Sequence, residues 1–96
     1  MAFAQKALQV AEQKVGRNHP DVATSLNNLA SLYDAQGDYA KAEPLYQRSL
    51  AIWEKVRGTN HPSITPSLNN LALLYFIQGD YAKAEPLYQR SLAIWE

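Results

Sequence analysis

The chain has 96 residues, nine basic and nine acidic side chains, no cysteine, and a mean hydropathy of −0.35. That length gives one small domain with a modest core, and zero net charge argues against nucleic acid, whose binders carry a basic face for phosphate. The lack of cysteine excludes disulfides and thiolate metal sites and fits a cytoplasmic protein. No apolar run approaches the roughly 18 residues of a membrane span, and the opening MAFAQKALQVAEQKVG lacks the basic head and apolar block of a signal peptide. A soluble chain without membrane contact is expected.

The first helical stretch ends at Gly16-Arg17-Asn18-His19-Pro20, where glycine stops a helix and proline suits the first turn of the next. A second helix follows, with Leu26, Leu29, Ala30 and Tyr33 on one face. Gly37 closes it in a left-handed conformation, and Asp38 caps the third helix. Tyr39 to Arg57 then carries Ala42, Tyr46, Ser49, Leu50 and Trp53 at helical spacing. Pro44 and its later copy Pro86 stand about six residues into their helices, where proline costs roughly 3 kcal/mol. They read either as a kink on the solvent side or as a tuned curvature. Gly58-Thr59-Asn60-His61-Pro62 repeats the first punctuation, and Gly79-Asp80 the second, which predicts a fourth and a fifth helix.

The tail repeats the middle. Residues 61–96 match residues 19–54 at an offset of 42, with seven differences in 36 positions. A fixed period of this kind predicts a stacked array whose units cannot bury their apolar faces alone. The fold class is therefore all-α: five antiparallel helices in the order B–A–B–A–B, where residues 1–18 are a partial unit with helix B only. Residues 19–60 are the first full unit and 61–96 the second, shortened in helix B. In the partial unit Lys6, Leu8, Val10 and Gly16 align with Arg48, Leu50, Ile52 and Gly58, while Ala4 and Ala11 stand where later copies have Tyr46 and Trp53. Both ends look cut, as a reduced cap or as the edges of a longer array.

Leu26, Leu29, Ala30, Tyr33, Gly37, Tyr39, Ala42, Tyr46, Ser49 and Leu50 resemble the tetratricopeptide repeat signature. Leu68, Leu71, Ala72, Tyr75, Gly79, Tyr81, Ala84, Tyr88, Ser91 and Leu92 match it a second time. The 42-residue period, with its LNNLA and AEPLYQRSL phrases, is similar to the kinesin-light-chain type of the family, whose usual period is about 34. It departs at Leu26 and Leu68, where many members have tryptophan, and at Glu54 and Glu96, where many have proline. The resemblance implies a right-handed α-solenoid acting as a non-catalytic adaptor, with no cofactor, that takes a protein or peptide segment in a groove lined by its A helices. By position the groove residues are Thr24, Asn27, Asn28, Ser31, Asp34 and Ala35, then Pro66, Asn69, Asn70, Leu73, Phe76 and Ile77. Spacings of three and four put most of each set on one helical face, independently of the resemblance.

The seven differences lie at 21/63, 22/64, 23/65, 24/66, 31/73, 34/76 and 35/77. Four fall among the six groove positions, where random placement gives about one; the scaffold is constant and its presented surface is not. Ser31, Asp34 and Ala35 become Leu73, Phe76 and Ile77, three apolar anchors worth roughly 1.5–3 kcal/mol each when buried. Exposed, such a patch marks a partner or a second copy of the chain in a homo-oligomer; the alternative is that the chain itself or a neighbouring repeat covers it. Asn27 and Asn69, poor helix-interior residues, read as amides for a ligand backbone. Asn28 and Asn70 read equally as groove residues or as bonds within the stack. A carboxylate clamp, which chaperone-binding members build from lysine or arginine, is not expected where Thr24, Ser31, Pro66 and Leu73 stand.

His19 and His61 occupy the same loop one period apart and read as turn residues rather than metal ligands. No HExxH, glycine-rich phosphate loop or paired-carboxylate pattern is present. Tyrosines and tryptophans read as core, Lys41, Glu43, Lys83 and Glu85 as a solvated face, and an enzyme is not expected. Beside peptide binding stand two other readings: self-assembly through the apolar patch, and a trimmed or engineered consensus fragment, suggested by the 19 identical residues at 36–54 and 78–96.

Overall fold

A computed structural model describes residues 2–15, 19–58 and 61–95, with side chains except at 2–4, 12–15 and 95. Five α-helices follow in order: α1 (Ala2–Val15), α2 (Pro20–Ala35), α3 (Tyr39–Arg57), α4 (Thr65–Ile77) and α5 (Tyr81–Trp95). Each packs on the next in the chain, so the units stack in sequence order. The expected Gly16-Arg17-Asn18 and Thr59-Asn60 turn residues lie outside the described residues. No helix among them is long and apolar enough to cross a membrane.

The turns form as their residues dictate. Gly37 has φ +79°, a left-handed conformation that costs glycine little, and the amide of Asp38 reaches back to the carbonyl of Tyr33 at 2.8 Å. Gly79 and Asp80 do the same, with φ +80° and a 2.8 Å bond to Tyr75. Asp38 Oδ1 then accepts from the Lys41 amide, and Asp80 Oδ1 from that of Lys83. Both histidines serve turns: His19 Nδ1 accepts from the Asp21 amide and His61 Nδ1 from the Ser63 amide, each at 3.0 Å. Pro44 and Pro86 sit exposed within unbroken helices.

One helix start differs from the sequence expectation. Pro20 opens α2 directly, but Pro62 opens a 3-10 turn, Pro62–Ile64, and α4 begins only at Thr65. The cause is Pro66, which replaces Thr24. Having no N–H, it cannot bond the carbonyl four residues back; the Thr65 amide instead takes the Pro62 carbonyl.

Two apolar clusters hold the stack. Val22, Ala23, Leu26 and Ile52 pack with Leu8 and Ala11 between α1, α2 and α3. Ala30, Ala42, Tyr46, Leu50, Ile64, Leu68, Leu71, Leu74, Tyr75 and Ala84 form the larger cluster, and Leu45 and Trp53 touch both. Ser49 donates from a buried position to the Ala23 carbonyl at 2.8 Å, tying α3 to α2. Across the seam between α3 and α4 the Tyr75 hydroxyl donates to Glu43 Oε1 and accepts from Gln47 Nε2, both at 2.9 Å. Glu43 is thus half-buried seam, not the solvated face expected of it, and Arg90 on α5 adds a 3.0 Å ion pair to Glu54.

The duplicated residues meet unequal surroundings. Tyr46 is 3% exposed and its copy Tyr88 39%; Leu50 is 7% exposed and its copy Leu92 61%. The second unit covers the first, while the outer face of α5 stays open.

This asymmetry predicts different costs for one substitution. In dilute protein, Leu50→Ala should lose about 2–5 kcal/mol in urea unfolding, and Leu92→Ala under about 0.5. Equal losses would refute the assigned burial. Burial, then the hydrogen bond to Glu43, raises the Tyr75 pKa above its ordinary 10.0. The unfolded chain therefore ionises first, and this contribution is complete below about pH 10 and lost as pH rises through the folded pKa. Tyr75→Phe should flatten the fall of the urea midpoint above about pH 10; an unchanged slope would contradict it.

Candidate functional site

Helices α2 and α4 flank a cleft of about 310 Å³ lined by Thr24, Asn27, Asn28, Ser31, Pro66 and Asn70, together with Trp53, Ser63 and Ser67. Six of the residues assigned to a groove from sequence thus come together, four on α2 and two on α4. Trp53, Ser63 and Ser67 escaped that assignment. Trp53 was read as core, and its half-buried indole does pack on both clusters while a part reaches the cleft. Ser63 and Ser67 line it because the 3-10 turn imposed by Pro66 resets the start of α4, a signal that the Thr24-to-Pro66 difference carries.

The cleft is polar over an aromatic patch. Asn28, Ser31 and Asn70 are exposed, whereas Asn27 is half-buried. Asn27 Oδ1 and Ser67 Oγ are buried without a hydrogen-bond partner among the described residues. Orphaned buried polar atoms are rare in native proteins and costly. Ser31 and Asp34 also touch the Tyr46 hydroxyl, whose pKa is raised by burial and next by the Asp34 carboxylate.

The remaining assigned residues lie elsewhere. Asn69, Leu73, Phe76 and Ile77 are exposed along α4 and are not in the cleft lining. Phe76 lines a separate, apolar hollow of about 290 Å³ with Tyr81, Ala84, Glu85, Tyr88 and Gln89. Its ring lies 5.2 Å from that of Tyr81. Among the described residues no group of three or more His, Cys, Asp or Glu side chains could hold a metal ion.

The profile of the tetratricopeptide repeat family matches residues 2–55 and again 35–96, together nearly the whole chain. No curated protein matches. Among solved structures, BtubC (BKLC) from P. vanneervenii superposes with a TM-score of 0.90 at 28% identity, over 97% of this chain and 37% of that one. The chain thus spans little more than a third of that relative, and nearly all of it follows the same helical path. Two repeats with 42-residue spacing, a left-handed glycine closing each A helix, and this likeness agree: the chain belongs to the tetratricopeptide repeat family, in its kinesin-light-chain-like form.

Proposed function

We propose that the chain is a protein-interaction scaffold whose α2–α4 cleft takes an extended or helical segment of a partner protein. Tetratricopeptide repeat proteins are in general non-catalytic scaffolds of this kind. The observation that carries the reading is the convergence of the exposed Asn28, Ser31 and Asn70 on one cleft beside an indole. The exposed amides of Asn28 and Asn70 both donate and accept, as pairing with a peptide backbone requires. Trp53 adds apolar contact at little entropic cost, having only two side-chain torsions. Zero net charge favours neither phosphate nor a strongly charged peptide. The absence of cysteine from the sequence fits the reducing cytoplasm, where we place the protein.

Peptides selected from a random library against the protein provide the test. Their binding should shift amide resonances of α2 and α4, and the exposed pair Asn28→Ala/Asn70→Ala should weaken it about tenfold or more with helical circular dichroism unchanged. Peptides that shift only α5, or that bind the double variant equally well, would overturn the proposal.

A further inference from the structure

Every described residue that lines the α2–α4 cleft is neutral, although 19% of the chain is charged. The differences between the two units account for part of this. Ser63 stands where the first unit has Asp21, and Phe76 where it has Asp34. No other differing position holds a charged residue in either unit, and both exchanges remove a carboxylate. Ser63 lines the cleft, so the first exchange decides its charge. On the α2 side Asp34 contacts the Tyr46 hydroxyl and is not part of the lining.

The turn does not force serine at this position. His19 Nδ1 accepts from the Asp21 amide and His61 Nδ1 from the Ser63 amide, each at 3.0 Å. The cap therefore forms equally well with either side chain. In the first unit the Asp21 carboxylate also comes within 3.7 Å of His19 Nδ1, and a carboxylate is favoured near a helix start. Local structure accepts aspartate here, yet the cleft holds serine.

We propose, resting on the scaffold function above, that the cleft selects an extended partner segment whose inserted residues carry no charge. An apolar side chain of that segment lies against Trp53, and its main chain meets Asn28 and Asn70. A charged side chain entering the cleft sheds water and meets no opposite charge, a penalty that excludes it. An extended backbone leaves its N–H and C=O groups free, whereas a helix uses most of them internally. The exposed amides of Asn28 and Asn70 donate to such carbonyls and accept from such N–H groups. The half-buried indole supplies apolar contact. Selectivity thus comes from rejecting charge rather than from an ion pair.

Library peptides that shift the α2 and α4 resonances provide the test. They should share no Asp, Glu, Lys or Arg at the positions where alanine substitution abolishes binding, and should stay non-helical when bound. Their affinity should change less than about twofold between about 50 and 500 mM sodium chloride. Ser63→Asp gives the second unit the residue that the first already carries. It should keep the helical signal, weaken these peptides at least about tenfold, and regain affinity when one lysine is added to them. Should Ser63→Asp lose its helices, Asn28→Asp, an isosteric change at an exposed position, must give the same weakening and the same rescue by lysine. A charged residue shared by the selected peptides, a tenfold loss across that salt range, a helical bound form, or a folded variant that binds them unchanged would each overturn the proposal. These outcomes keep the cleft as the binding site and leave the scaffold function standing. A library with no peptide that shifts α2 and α4 would overturn both.

Discussion

The seam between α3 and α4 is the contact on which the rest of the structure depends. A two-helix unit buries one stripe of each helix against its partner and leaves a second stripe of helix B bare. In the first unit that stripe includes Tyr46 and Leu50, and it is hidden by residues including Ile64, Leu68 and Leu71 from the second. Apolar burial supplies most of the driving force, yet it is non-directional and would tolerate a shift of α4 along α3. The hydroxyl of Tyr75, held between Glu43 and Gln47, sets the register, because a shift of one turn would strand a half-buried carboxylate. The first seam has a lighter version of this device, with Gln5 Nε2 donating to the Tyr33 hydroxyl at 3.2 Å.

Identical sequence does not carry identical energy here. Residues 36–54 and 78–96 are the same, so every difference in burial between them arises from neighbours alone. In a quasi-one-dimensional array each unit gains its intrinsic stability plus the seams it shares. By that accounting α3 is held from both sides, whereas α5 rests on α4 and on the Arg90–Glu54 pair, whose partly exposed ends contribute little. Opening should thus begin at α5, the ordinary behaviour of an element with few buried residues.

Much of this was legible in the sequence because the relevant signals are local. Gly37, Asp38, Gly79 and Asp80 specify backbone conformation within four residues, and the spacing of Leu26, Leu29, Ala30 and Tyr33 names the buried face without reference to any other helix. The histidines were legible too, since a turn role needs only the amide two residues on. Non-local information was lost. Glu43 looks like any surface carboxylate until Tyr75, 32 positions away, arrives across the seam. Trp53 reads as core because aromatic periodicity reports that a side chain is covered, not that part of it also borders a cleft. Leu32 and Leu74 share one position in the repeat, yet the first is 41% exposed and the second fully buried. No pattern within a period can tell a first unit from a second.

The groove and the backbone that frames it are not independent. Among the positions that differ between the two units, the change from Thr24 to Pro66 acts at both levels. Thr24 keeps its hydroxyl on the Pro20 carbonyl inside a regular first turn. Pro66, lacking an amide proton, breaks the corresponding turn into 3-10 geometry, and the displaced start of α4 is what presents Ser63 and Ser67 to the cleft. Ser67 then lies buried with an unpartnered hydroxyl, a cost that packing alone gives no reason to retain. One proline therefore both shapes the wall and lines it. The constant core permits this: because Leu68, Leu71, Leu74 and Tyr75 hold α4 in the cluster shared with α3, its first turn can be rewritten without loss of the seam.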